Sequence, residues 1–331
     1  MKSISGNFQK NTIKSQKTEN NLSKKNQIDI WSDHFESLAK TQKIRNTTRI
    51  AELEPKLRNV DYYMECDMVP TWNELTTALK HTPIRKSAGI DKIPSEVWKL
   101  VQSENAPESP LARLIYEMVQ KAWKGGSISA VNNTSIVIPI PKKGDLSNPN
   151  NYRGISLIPT LLKLISKIIA IKLSEMDCKH GILVKEQAGF RNREECVAQA
   201  TSLYEIVKRR KLESKSTFVA FIDFEKAYDK VPHDLLALKL KQNKIGGKLL
   251  KVIQNLYMNP YMAVRYGSET SKSFKYGCGV RQGCPMSPIL FDIYINDIFK
   301  RMKGVTVPGI SKTIPGLLFA DDAEMKSNLN Y

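Results

Sequence analysis

The sequence lacks the cysteine and histidine patterns of a metal-binding or disulfide-rich protein. Its 331 residues include 5 Cys and 4 His, and none of these forms a C-x-x-C or H-x-x-x-H pair. Zinc sites and disulfide frameworks both depend on such clustered residues. The sequence therefore favours free thiols in a reducing compartment over either a zinc protein or a disulfide-stabilised fold.

Long apolar runs are also absent. The first ten residues, MKSISGNFQK, contain no apolar segment of the kind found in a secretory signal, and nowhere do eighteen apolar residues follow one another. We therefore expect no membrane partner. With no sorting signal in the sequence, we expect an intracellular location, in the nucleus or the cytoplasm.

Acidic residues are scarce relative to basic ones. The chain has 33 Asp and Glu against 51 Lys and Arg, which gives a net charge of +18. A positive field of this size attracts polyanions, so nucleic acid is the leading class of partner. The alternative is a basic protein that is merely soluble and adhesive. The content of 41% hydrophobic and 25% charged residues is that of an ordinary globular protein.

The patterns that are present predict an α+β fold in which helices come before strands. Residues 1–30 are rich in Lys, Asn, Ser and Gln, and we expect them to form a flexible basic tail. The stretch TWNELTTALK has capping-box spacing between Thr71 and Glu74, and Ser109 followed by Pro110 is typical of a helix start. Strand patterns follow in NTSIVIPIP, YRGISL, STFVAFIDF and PGLLF.

Acidic residues stand at the polar ends of two apolar strands. STFVAFIDF contains Asp223, and PGLLFADD ends in Asp321 and Asp322. If these strands are neighbours in one sheet, three carboxylates meet, and they repel one another unless cations lie between them. Carboxylate oxygens suit Mg²⁺, and two such ions about 4 Å apart can clamp a phosphoryl displacement. An Asp-Asp pair is also ordinary hairpin-turn chemistry, so the pair alone does not decide.

Six short blocks favour a catalytic role for these acids over a simple hairpin turn. They are KSAGIDKIP, IPIPKKGD with NYRGISLI, QAGFRNRE, FIDFEKAYDKVPH, GVRQGCPMSPILFDIYIND and LLFADD. In this order they resemble the reverse transcriptase domain of non-LTR (LINE-like) retrotransposons, over roughly residues 75 to 325. The resemblance implies a polymerase right-hand fold with fingers and palm and with the thumb missing. The implied boundaries are a tail at 1–30, a helical N-terminal extension at 31–74, fingers at 75–215 and an incomplete palm at 216–331, with a helical or hairpin insertion at 242–274.

The resemblance assigns the three acids to catalysis. Asp223 matches the first catalytic metal ligand, and Asp321 and Asp322 match the acidic pair that completes a site for two Mg²⁺ ions. Tyr228 matches the aromatic steric gate, whose ring lies under the incoming sugar and crowds out a 2′-hydroxyl. From the residues alone, Tyr228 would be a core aromatic at the start of a helix.

Further positions match nucleotide contacts of the family. Arg153 matches the arginine that grips the triphosphate, and a planar guanidinium suits phosphate oxygens. Gln282 matches the position that supports the incoming nucleotide, and Gly283 would allow close backbone approach there. Lys142 is another candidate beside its polar loop, although loop lysines are commonly just solvated.

Several charged residues have two interpretations. Lys86 and Arg191 are expected to touch nucleic-acid backbone, with solvated surface charge as the alternative. Arg281 could equally be a surface charge. His233 and Asp229 have the residue types of an acid–base pair, but the proline before His233 favours a role at a helix start.

Two departures from the family pattern carry expectations of their own. Gly154 replaces the proline that usually follows the arginine of NYRGI, which is expected to loosen the start of that strand. After FADD, the residues Ala323 to Lys326 predict a poor return strand, and the chain then ends.

The predicted function is that of an RNA-directed DNA polymerase acting on an RNA template, a DNA primer and deoxynucleoside triphosphates. One alternative is an inactive, truncated relic that only binds nucleic acid. A second is an RNA-dependent RNA polymerase, suggested by the spacing of Asp229 from Asp223 but opposed by FADD in place of Gly-Asp-Asp and by Tyr228. The sequence identifies neither the copied RNA, nor the priming mechanism, nor the oligomeric state.

Overall fold

The computed structural model describes residues 27–40, 50–125, 129, 133–191 and 195–320, and it describes the backbone of 322–327. The helices that matter for the site are α1 (Gln27–Ala39), α2 (Trp72–Lys80), α3 (Ser95–Lys99), α4 (Pro110–Trp123), α5 (Thr160–His180), α6 (Cys196–Leu212), α7 (His233–Gln242), α8 (Gly247–Met258) and α9 (Ser287–Ile295). The strands are β1 (Thr134–Pro141), β2 (Tyr152–Leu157), β3 (Phe218–Asp223), β4 (Tyr261–Tyr266), β5 (Glu269–Thr270), β6 (Phe274–Lys275), β7 (Gly316–Phe319) and β8 (Asp322–Ser327). Helices and strands are mixed, as an α+β chain predicts.

The helix starts that were predicted from sequence are confirmed. Thr71 and Glu74 form the capping box of α2, with the Thr71 hydroxyl accepting from the Glu74 N–H and the Glu74 carboxylate accepting from the Thr71 N–H. Ser109 caps α4 by accepting from the Ala112 N–H at 3.1 Å. Each contact satisfies an N–H group that a helix start leaves without an intrahelical partner. These starts are local, so the sequence suffices to locate them.

Two sheets organise the described residues. The larger has the order β2-β1-β4-β5, with β6 also paired to β4; β1 runs antiparallel to β2 and parallel to β4. The smaller is antiparallel and has the order β3-β8-β7. Residues 242–274, predicted as an insertion, form α8, β4 and β5, and β4 joins the sheet that contains β1 and β2.

The predicted poor return strand is wrong. Residues Ala323 to Lys326 belong to β8, which is the central strand of the smaller sheet and pairs with β3 on one side and β7 on the other. Strand preference depends strongly on context, and hydrogen bonding to two neighbours outweighs the low strand propensity of Ala, Glu and Lys.

Helix α1 packs against the larger sheet. It begins at Gln27, inside the segment predicted as a tail, whose residues 1–26 lie outside the described chain. Trp31 and Phe35 of α1 are buried. A Cβ atom at Gly154 would lie 2.5 Å from the Phe35 ring and 2.9 Å from a Val137 methyl. Gly154 therefore admits α1 to the sheet surface, and the expected loosening of β2 is wrong.

A main hydrophobic core joins α2, α4, α5, α7, α8 and α9. A smaller cluster of Ile206, Val305 and Val307 lies under α6. Within the described ranges, no helix has the length and apolar character to cross a membrane.

Candidate active site

The smaller sheet brings two of the predicted catalytic acids together. Asp223, the last residue of β3, is the register partner of Asp322, the first residue of β8. Opposed residues of an antiparallel pair lie on the same face of a sheet, with Cβ atoms about 5 Å apart. Asp223 is exposed. Asp321 lies outside the described residues, and Asp322 is described by its backbone alone, so two of the three predicted ligands have no described side chain. Among the side chains that are described, no three His, Cys, Asp or Glu are grouped closely enough to hold a metal ion.

The hairpin of β7 and β8 packs against the block that contains QAGFR. The Leu318 N–H donates to the Glu186 carbonyl at 2.8 Å, and the Ala188 N–H donates to the Leu318 carbonyl at 3.0 Å. The buried Gln187 side chain accepts from the Ala320 N–H at 3.1 Å and donates to the Ala320 carbonyl at 3.4 Å. A Cβ atom at Gly189 would overlap the Ala320 backbone. Gln187 therefore clamps the residue that comes directly before Asp321.

Sequence reasoning did not single out Gln187. The signal available was a polar residue inside a segment that is otherwise small and apolar, but its partner lies far along the chain. Ala320 itself has φ +58°, a left-handed conformation that a non-glycine residue rarely adopts without support. The Gln187 amide supplies that support.

Tyr228 stacks on an aromatic ring from α9. Its ring lies parallel to that of Phe291, with centroids 4.9 Å apart and an interplanar angle of 13°. Tyr228 is half-buried and stands in a short 3-10 turn, Tyr228–Lys230. The ring thus packs against the core on one face, as its interpretation as a core aromatic required. This packing restricts the orientation of the ring, and the role of Tyr228 as a steric gate stays a prediction.

The loop containing Gln282 and Gly283 lies between β2 and the turn after β3. The Gln282 carbonyl accepts from the Ser156 N–H at 2.8 Å. Its side-chain nitrogen lies 3.2 and 3.3 Å from the two carboxylate oxygens of Asp229. Gly283 has φ +100°, and a Cβ atom there would lie 3.3 Å from the Ser156 carbonyl oxygen. The left-handed backbone conformation at residue 283 favours glycine. Glycine is also the residue that the predicted close approach at this position needs.

Two lysines lie near Asp229, the side-chain partner of Gln282. The Lys226 side chain donates to the Asn150 side chain at 2.6 Å, and the backbone N–H of Lys142 donates to the Asn151 carbonyl at 2.7 Å. Burial raises the pKa of Asp229 above its usual range, while the Gln282 hydrogen bond and the charges of Lys226 and Lys142 oppose that shift. The structure therefore brings Lys142, Asp229 and Gln282 into one neighbourhood. Arg153 is exposed on β2, where it pairs with Ile140.

Arg281 is not a surface charge. Its side chain is fully buried and donates to the Asn133 carbonyl and to the Asn133 amide oxygen, at 3.1 and 2.8 Å. The guanidinium also lies 5.9 Å from the centroid of the Tyr257 ring. Arg281 thus fixes the loop before Gln282 to the start of β1.

His233 and Asp229 do not form an acid–base pair. The His233 ring donates from Nε2 to the Gly279 carbonyl at 2.8 Å, and burial lowers its pKa to about 4, so the ring is neutral. Asp229 faces Gln282 instead. The preferred interpretation of His233, at the start of a helix, is confirmed because α7 begins at this residue.

The two predicted nucleic-acid contacts differ in their surroundings. Lys86 is exposed and lines a cavity of about 370 Å³ together with Lys163, Lys167 and Gly283. Arg191 is half-buried; it pairs with Asp177 at 3.1 Å and donates to the Val184 and Gln187 carbonyls. Lys86 can meet a polyanion directly, whereas the Arg191 guanidinium is engaged within the protein.

Comparisons with known proteins identify the family. The family model described as "Reverse transcriptase (RNA-dependent DNA polymerase)" matches residues 140–329, which is more than half of the chain. The "Transposon TX1 uncharacterized 149 kDa protein" of Xenopus laevis is 26% identical over 76% of this chain and 19% of its own length. The "Probable RNA-directed DNA polymerase from transposon X-element" of Drosophila melanogaster is 24% identical over 82% of the chain and 29% of its length. A "Retrovirus-related Pol polyprotein from type-1 retrotransposable element R2" of Popillia japonica is 30% identical over 55% of the chain and 26% of its length. The chain spans less than a third of the length of each of these relatives.

Proposed function

This chain belongs to the reverse transcriptase (RNA-dependent DNA polymerase) family, and from this premise we propose that it carries the fingers (75–215) and palm (216–331) of a retrotransposon's RNA-directed DNA polymerase. Its reaction is the transfer of a deoxynucleotide from its triphosphate to a primer 3′-hydroxyl, directed by an RNA template. The observation that carries the proposal is the pairing of Asp223 with Asp322 at one end of the smaller sheet.

The carboxylates proposed for this site are of the chemical type that Mg²⁺ prefers. Asp223 offers an exposed carboxylate, and the register places a second acid directly opposite it. Carboxylate oxygens are hard ligands, and Mg²⁺ bound by them completes its shell with substrate phosphate and water. When bound, two such ions lower the pKa of an attacking hydroxyl and neutralise charge on the departing pyrophosphate. Asp223, Asp321 and Asp322 are the residues that would hold them.

The chain's own residues orient the nucleotide. The Tyr228 ring, held by Phe291, lies under the sugar and excludes a 2′-hydroxyl. Arg153, exposed on β2, reaches the triphosphate with a planar guanidinium, and Lys142 adds positive charge nearby. Gln282 and Gly283 support the incoming nucleotide from the loop before α9. Lys86 and the lysines around its cavity supply backbone contacts for the template.

A primer-extension assay with an RNA template tests this proposal. The Asp223→Ala variant should lose nearly all incorporation, by about 1,000-fold or more, because a metal ligand of the reacting phosphate is gone. Asp61→Ala, which removes an exposed carboxylate outside the site, is the matched control and should incorporate nucleotide at the wild-type rate. Equal incorporation by wild type and Asp223→Ala excludes the assigned site.

The two alternatives give different results in the same assay. An inactive relic binds RNA in a salt-dependent way that the aspartates do not affect, and it incorporates no nucleotide at any Mg²⁺ concentration. An RNA-dependent RNA polymerase prefers ribonucleotides to deoxynucleotides. The proposed function requires Asp223-dependent incorporation and a preference for deoxynucleotides.

A further inference from the structure

The side chain of Gln187 is a buried amide whose oxygen and nitrogen both bind backbone groups. It is 1% exposed. Its Oε1 accepts from the Ala320 N–H at 3.1 Å and from the Gly189 N–H at 2.8 Å, and its Nε2 donates to the Ala320 carbonyl at 3.4 Å. An amide nitrogen cannot accept from an N–H group, so the two donors fix the orientation of the amide. Gln187 thus holds both backbone polar groups of one residue, Ala320.

Ala320 has a backbone conformation that needs such support. Its φ of +58° lies in the left-handed region, where the Cβ atom of an L-residue comes too close to a carbonyl oxygen. A residue in this region keeps its conformation only where its surroundings fix it. Asp321 is the next residue in the chain, and Asp322, the register partner of Asp223, follows it. The conformation of Ala320 therefore sets the direction in which the chain enters the acidic pair.

The backbone of Gln187 is itself anchored on two sides. It forms an isolated parallel bridge with Leu318 of β7. The Arg191 guanidinium donates to the Gln187 carbonyl at 3.3 Å and pairs with the buried Asp177 of α5 at 3.1 Å. The Gln187 amide is therefore carried by a segment that is tied both to the hairpin and to the helical core.

We propose that Gln187 is a positioning residue for the catalytic metal site: its amide holds Ala320 so that the acids that follow Ala320 lie opposite Asp223. This inference rests on the proposed function of those acids. In this role Gln187 touches neither a metal ion nor a substrate, and it acts through the backbone of Ala320. The QAGFRNRE block thereby takes part in catalysis without a contact to nucleic acid.

Gln199 offers a matched comparison at the same hairpin. Its Nε2 donates to the Glu186 carbonyl at 2.9 Å and to the Leu318 carbonyl at 3.1 Å. Both glutamines therefore support the end of β7, but the Gln187 amide binds the residue next to the acids and the Gln199 amide binds Leu318, two residues earlier. Methionine has nearly the length of glutamine and no amide. Replacing each glutamine by methionine therefore separates placement of the acids from general support of the hairpin.

Mn²⁺ binding followed by electron paramagnetic resonance tests the proposal without relying on catalysis. Gln187→Met should weaken Mn²⁺ binding by about tenfold, because an unsupported left-handed alanine relaxes to other conformations. Gln199→Met should change the affinity by less than about twofold, because the contacts of Ala320 remain. In the Gln187→Met background, Ala320→Gly should recover most of the loss, because glycine adopts the left-handed conformation without a steric cost. Thermal melting checks that each variant folds.

Hydrogen exchange in the wild-type chain supplies a readout that needs no substitution. Coupling between two binding events is reciprocal, so if the Gln187 contact strengthens metal binding, a bound metal ion must strengthen the contact. Mg²⁺ should therefore slow the exchange of the Ala320 N–H, followed by NMR, by about the same tenfold factor. The N–H groups of α4 should not respond. This measurement decides the question if Gln187→Met does not fold.

Three results overturn the proposal: equal effects of Gln187→Met and Gln199→Met on Mn²⁺ binding, no recovery by Ala320→Gly, or an Ala320 N–H whose exchange ignores Mg²⁺. Primer extension separates this failure from failure of the proposed function. If wild type incorporates nucleotide and Gln187→Met needs no more Mg²⁺ than wild type, the positioning role alone is refuted. If wild type incorporates none while its Mn²⁺ binding depends on Gln187, the proposed function is refuted and the positioning role stands.

Discussion

Asp292 illustrates how a single buried group makes a fold sensitive to pH. It lies on α9 with 1% of its surface exposed, and its Oδ1 has no hydrogen-bond partner among the described residues. Burial raises its pKa to about 8; Asp177 raises the pKa further and Arg191 lowers it. The side chain is therefore a neutral acid at pH 7, which is how a carboxyl can lie in an apolar core.

Asp292→Asn should remove a pH dependence of stability. The folded pKa of about 8 exceeds the ordinary value of 3.8, so between these pH values the folded chain keeps a proton that the unfolded chain releases. The free energy of unfolding of wild type therefore falls as pH rises through this window, by up to about 1.4 kcal/mol per unit. Asparagine cannot ionise, so the free energy of unfolding of the variant should rise relative to that of wild type from pH 5 to pH 8.

Urea denaturation across this pH range measures the effect, with Asp61→Asn as an exposed control. A constant difference between wild type and Asp292→Asn at every pH would show that Asp292 is ionised in the folded chain. The control should follow the wild-type curve throughout, because its carboxyl is in solvent.

At the scale of single elements, predictability follows the range of the interactions. The starts of α2 and α4 depend on residues three positions apart, and the sequence located both. The strand β8 depends on hydrogen bonds to β3 and β7, which no local pattern contains, and it was misjudged. Gly154 was misinterpreted for the same reason, because its close neighbour Phe35 lies in a helix far away in the sequence.

Gly154→Ala should lower the free energy of unfolding by about 1–3 kcal/mol, the usual cost of overpacking a filled site, here the contact between α1 and the larger sheet. The added methyl would meet the Phe35 ring at 2.5 Å. In a Phe35→Ala background the same substitution should cost less, since the ring is gone and only the Val137 methyl stays close. Urea denaturation of the four proteins measures this coupling. An equal cost in both backgrounds would mean that α1 does not rest on Gly154.

For the whole molecule, the six blocks predict which residues form the site but not which contacts support it. They predict one site that includes Asp223, Tyr228 and Gln282, and the family match identifies the chain as a reverse transcriptase. They did not reveal that Gln187 clamps Ala320, that Arg281 is buried or that Asp229 faces Gln282. Those contacts join segments that are distant in the chain, so only the folded structure shows them.

The central claim is that Asp223 and Asp322 contribute to one divalent-cation site. Binding of Mn²⁺ as a probe, followed by electron paramagnetic resonance, tests it without relying on catalysis. The account predicts that Asp223→Asn and Asp322→Asn each weaken the same Mn²⁺ binding by at least about tenfold, and that the double variant loses little more. Two independent losses that add, or Mn²⁺ binding that neither substitution changes, would contradict it.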